Sequence, residues 1–121
     1  MRHDSPVDSD LNLNGRWSDW AVWRWDGSSV TLIADLDLTY HHEVEVTFVN
    51  TEYAAVASSF WHPTFRGPTS EESATVEAMF SPDAPLTLIA WDAETANGRG
   101  SFLVACEAVR VSEGSVVHDH G

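Results

Sequence analysis

The sequence predicts a mainly β domain, either a compact antiparallel sandwich or a small barrel-like fold, with a single antiparallel sheet plus one helix as the alternative. Three observations carry this. The run His42-Glu43-Val44-Glu45-Val46-Thr47-Phe48-Val49 alternates polar and apolar side chains with a period of two, as a strand with one dry face requires. Turn-forming pairs such as Asp26-Gly27 and Asn97-Gly98 punctuate runs of this kind. No long stretch repeats its apolar residues at helical spacing.

Taken in order, residues 1–15 hold aspartates, a proline and a closing glycine, and read as a flexible acidic arm, with Leu11 and Leu13 able to add a short edge strand. A single β domain is expected over residues 16–117, and 118–121 form a polar tail. The domain opens on an aromatic stretch containing Trp17, Trp20, Val22, Trp23 and Trp25, which ends at Asp26-Gly27-Ser28-Ser29. A hairpin across Asp26-Gly27 follows, because glycine accepts a positive φ without steric cost. Alternation then runs from Ala34 to Phe48, too long for one strand, so a turn or bulge is expected near residues 39–41. Val44, Val46 and Phe48 should face the core, and Asn50-Thr51 should turn the chain.

Residues 53–61 favour a strand and then a loop over a short helix, and 63–70 look irregular. A strand over 74–80 would put Val76, Ala78 and Phe80 on one side. After Pro85, Leu86 to Trp91 is apolar on both sides, as a central strand should be, and Ser101 to Val111 makes the last long strand. If the alternative fold holds, its helix lies in 52–61 or 70–80.

Composition bounds the partners. A chain of 121 residues that is 43% hydrophobic can bury about two-thirds of its extended surface. Nineteen acidic residues oppose six arginines and no lysine, for a formal charge of −13. Such a surface repels nucleic-acid backbones and anionic membranes and attracts a basic protein, while also serving solubility. Cys106 is the only cysteine and sits in an apolar run, so it reads as buried and unreactive. With no signal-peptide core and no apolar stretch long enough to span a bilayer, a cytoplasmic location is expected. An edge strand leaves homodimerisation open.

Three groups of residues carry candidate chemistry. His41 and His62, with Glu43 and Glu45, offer ligands for a divalent metal, although adjacent His41 and His42 point to opposite faces of an extended strand. Asp35, Asp37, Glu43 and Glu45 form a candidate acidic docking patch. Trp20, out of phase with Trp23 and Trp25, is its candidate apolar anchor. Arg66 and Arg99 lie in glycine-containing segments where each can pair with a carboxylate. Ser58 and Ser59 near His62 lack the surroundings of an activated nucleophile, so no catalytic residue and no cofactor follow. The reading that results is an interaction module that docks or inhibits a basic protein. Opposed to it is a small metal-assisted enzyme or ligand-binding β domain.

Overall fold

The Asp26–Ser29 segment turns the chain as its chemistry requires. The Asp26 carboxylate accepts from the backbone N–H groups of Ser29 at 2.9 Å and Ser28 at 3.3 Å, and Gly27 takes φ +96°. Those N–H bonds also hold the Asp26 carboxyl below the usual carboxylate range. The strands on either side are β1 (Asp19–Trp25) and β2 (Val30–Asp35). The structure, a computed structural model, describes residues 13–35, 41–81 and 83–117. The expected turn at 39–41 therefore lies mostly outside the described residues, as do most of the N-terminal arm and the C-terminal tail.

Beyond the hairpin come β3 (His41–Val49), β4 (Tyr53–Ala55), β5 (Ser59–Arg66), helix α1 (Ser70–Glu77), β6 (Thr87–Thr95), β7 (Gly98–Cys106) and β8 (Ala108–Val117). All eight strands join one antiparallel sheet in the order β4-β7-β6-β5-β1-β2-β3-β8. The fold is thus mainly β.

This sheet is rolled rather than flat. Phe48 on β3 stacks on Trp91 on β6 with ring centroids 6.0 Å apart, although three strands separate β3 and β6 in the sheet. The Glu107 N–H, between β7 and β8, also donates to the Val49 carbonyl at the end of β3. Side chains on the concave face consequently meet at a single interior. Val44, Val46 and Phe48 are all buried there, as their alternation predicts. They are joined by Trp20, Leu32, Phe60, Phe65, Ile89 and Val104. Burial of each large apolar side chain contributes about 1.5–3 kcal/mol, so this interior is the main source of stability.

Four local differences from the sequence reading have clear causes. The leading reading makes 74–80 a strand, but residues 70–77 form a helix, one of the two places the single-sheet alternative gives it, because Thr69 and Glu72 form a capping box that satisfies the first turn. The strand expected to stop before Pro63 continues to Arg66 through a bulge, with His62 at φ +53° and Pro63 unpaired, so the missing proline N–H costs no ladder bond. The last long strand is two strands that meet at Glu107. Leu13 is buried in the core and Asn14 exchanges two hydrogen bonds with the Phe65 backbone, so both pack with the domain.

A second, smaller cluster lies on the convex face. Val76 of α1 covers Ala90, Leu103 and Ala105, with Tyr53, Phe80, Leu86 and Leu88 around them. An eight-residue helix is marginal by itself, so this contact and its anchors hold α1 in place.

Candidate functional site

The first exposed feature arises at the far end of β1. Among the described residues this strand pairs with β5 along Asp19–Ala21 only, and beyond Val22 its sheet partner is β2. Register slips between Val22 and Arg24, leaving Trp23 as the extra residue of a bulge. Together the slip and the missing neighbour leave Trp23 41% and Trp25 53% exposed. Trp23 also reaches across β2 to the ring of His42, 5.3 Å between centroids.

The expected anchor behaves in the opposite way. Trp20 is only 1% exposed, its indole N–H donates to the Trp17 carbonyl, and its ring packs on Phe60 and Phe65. It cannot act as a surface anchor. Trp20 and Trp23 do face differently, but it is Trp20 that turns inward, because Ala34 and Phe60, its partners on the two flanking strands, both line the core.

The acidic group is also dispersed. Asp35 is 3% exposed and so leaves the surface, and Asp37 lies outside the described residues. Glu43 is exposed but accepts from the Trp17 indole N–H at 3.2 Å. Glu45 is half-buried and bonds His42 at 2.9 Å. The pairing register with β8 shifts between His42 and Val44, with the extra residue on β8, and β3 keeps its alternation, His42 and Val44 both being buried. His42 is wholly buried.

Metal ligation gains no assembled centre. His62 is exposed, 3.6 Å from Glu94, whereas His42 belongs to the Glu45 pair. The side chain of His41 lies outside the described residues. Among the described residues, no three His, Cys, Asp or Glu side chains are grouped to hold a metal ion.

Arg66 has a defined structural task. Its Nε and Nη2 donate to Asp92, its Nη1 and Nη2 to Glu72, and its Nη1 also to the Gly67 carbonyl, which uses all five guanidinium N–H groups. Ser101 adds a hydrogen bond of 2.6 Å to Asp92. The cluster thereby pins β5, α1, β6 and β7 together and leaves Arg66 no donor for a ligand.

Cys106 lies in the core, and burial pushes its thiol up to about 12. It should resist an aromatic disulfide reagent in the folded protein and react fully once the chain is unfolded in urea. Rapid labelling under native conditions would contradict this placement.

Two concave surfaces lie close together at one end of the fold. They flank the segment between α1 and β6 and share Phe80, Ser81, Ala84 and Leu86. One cleft, of about 600 Å³, is also lined by Asn50, Glu52 and Glu107. The other, of about 580 Å³, is lined by Val76, Leu88 and Pro68, with Glu77 at its side. Sequence reasoning named neither: the first brings the turns after β1 and β3 to the segment after α1, and the second depends on α1, which the leading reading makes a strand. No protein-family model matches the chain, and neither does any curated protein or solved structure.

Proposed function

We propose that this protein is an acidic protein-binding module whose contact face is centred on Trp23 and Trp25 and whose partner is basic. The observation that carries the reading is the exposure of two tryptophans, 41% and 53%, two residues apart at the end of one strand in a small domain with an aromatic-rich core. Tryptophan is enriched at binding hot spots because it buries a large rigid surface at small entropic cost. A formal charge of −13 supplies the second element, steering a basic partner and raising its association rate at low salt. Glu43 and Glu45, each already bonded within the fold, keep part of their surface for a polar rim, whereas Asp35 and Trp20 are buried.

The test is partner capture by the folded protein from its native host, compared with a Trp23→Ser/Trp25→Ser variant. The captured set should be enriched in basic proteins, be lost in the variant and weaken as salt rises. Unchanged capture by the folded variant would refute this contact face. About half of each tryptophan is covered and Trp23 packs on His42, so the double substitution should cost about 1–3 kcal/mol, and capture is compared where the variant remains folded.

A further inference from the structure

We infer that the paired clefts beside α1 form a bipartite groove for a basic, amphipathic segment of a protein partner, one cleft taking an apolar side chain and the other a cation. This rests on the reading of the protein as an acidic protein-binding module and extends it to a second surface.

Chemistry divides the two clefts. The cleft nearer the helix is walled by Val76, Phe80, Leu86 and Leu88, four apolar side chains that are each at least half-buried. It continues the smaller apolar cluster to the surface, and exposed Met79 lies on the same connecting segment. A leucine- or isoleucine-sized side chain placed there would bury its surface against them.

The cleft on the other side places two exposed carboxylates, Glu52 and Glu107, against Phe80 and Leu86. Asn50, with φ +52°, hydrogen-bonds Glu107 through its side-chain amide and steadies that carboxylate. Among the described residues no arginine lines either cleft, and Glu77 adds a third negative charge to the apolar one. An arginine or lysine suits this arrangement, because its methylene stem can lie on the apolar wall while its head reaches the carboxylates.

Size and position agree with a single ligand. Each cleft falls within the usual range of about 300–1,000 Å³ for a binding cavity. Phe80, Ser81, Ala84 and Leu86 line both clefts, so one short chain crossing them would present an anchor to each side. Charge complementarity selects a basic occupant over an acidic or neutral one.

Short capped peptides on a serine-glycine background, each bearing one leucine and one arginine at varied separations, provide the probe. Binding is followed by amide chemical shifts of the full-length protein. Perturbations should gather on residues lining both clefts, with one separation preferred. Replacing either the leucine by serine or the arginine by citrulline should weaken binding by about tenfold, the effect of roughly 1.4 kcal/mol. The Glu52→Gln/Glu107→Gln variant, altered at exposed positions, should lose the preference for arginine over citrulline while retaining the leucine dependence. Shifts scattered over the acidic surface, no preferred separation, or arginine peptides binding equally without leucine would each overturn the groove.

The outcome is separable from that of the tryptophan face. Peptide binding at the clefts that survives Trp23→Ser/Trp25→Ser, in a protein whose partner capture also survives, supports the groove and removes the tryptophan face. Partner capture lost through the tryptophans, with no peptide response at the clefts, does the reverse.

Discussion

Replacing Trp91 by alanine should cost about 3–5 kcal/mol, while Trp91→Phe should cost no more than about 1 kcal/mol. Trp91 is fully buried and its ring meets Phe48, Phe60, Phe65 and Phe102, so truncation empties the centre where the rolled sheet closes on itself. Phenylalanine keeps most of that packing. It also removes the indole N–H, which is buried without a hydrogen-bond partner and carries a desolvation penalty of about 1–3 kcal/mol. Relief of this penalty offsets much of the lost volume. Trp20 provides the control, being equally buried but donating to the Trp17 carbonyl at 3.1 Å. Trp20→Phe would leave that carbonyl without its donor, and should cost about 1–2 kcal/mol more than Trp91→Phe. Urea unfolding of the variants at one pH measures both differences. Equal losses for the two phenylalanine variants would mean that packing volume, not the state of the N–H, sets the cost.

The contrast also shows what a linear pattern can carry. Val44, Val46 and Phe48 were legible because a strand paired on both sides obeys strict alternation, and β2 and β8 flank β3 along this length. Trp20, Trp23 and Trp25 were not, because one inserted residue between Val22 and Arg24 and the short reach of β5 decide which rings are covered. Neither the bulge nor the length of a neighbouring strand has a signature in β1 itself. Helix α1 misled for another reason. Val76, Ala78 and Phe80 suit one face of a strand, but only Val76 lies within the helix, with Ala78 capping it and Phe80 beyond. A signal was present in Thr69 and Glu72, spaced as a capping box ahead of a run of serine, glutamate and alanine. The first cleft was out of reach because it joins the turn after β1, the turn after β3 and the segment after α1, and the second because its wall needs α1 to be helical. Arg66, read as a surface cation with a carboxylate partner, proves to have two.

That double pairing leads to the second large effect: Arg66→Ala should destabilise the protein by about 2–3 kcal/mol near neutral pH. Removing the guanidinium leaves Glu72 and Asp92 facing one another, frees α1 from β5 and β6, and strips Asp92 of two of its hydrogen bonds. Arg66→Lys should recover only part of the loss, since an ammonium cannot address two carboxylates in fork geometry. Acid provides the sharper test. Arg66, then Ser101, hold the Asp92 carboxyl down to about 2 from an ordinary 3.8, and Arg66 lowers Glu72 as well. The folded state therefore binds these protons less readily than the unfolded chain. Their stabilisation is complete above the unfolded values near pH 4 and is lost as pH falls towards about 2. Because Arg66, Glu72 and Asp92 keep part of their surface in water, the Asp92 share is about 1–2 kcal/mol after screening. In Arg66→Ala the same carboxyls should titrate near or above their ordinary values, since each now repels the other. The stability gap between parent and variant should accordingly narrow by about that amount between pH 6 and pH 2.5, roughly the span of the shift. A gap that stayed constant across this range would show that Arg66 stabilises the fold through its aliphatic packing and not through its charge.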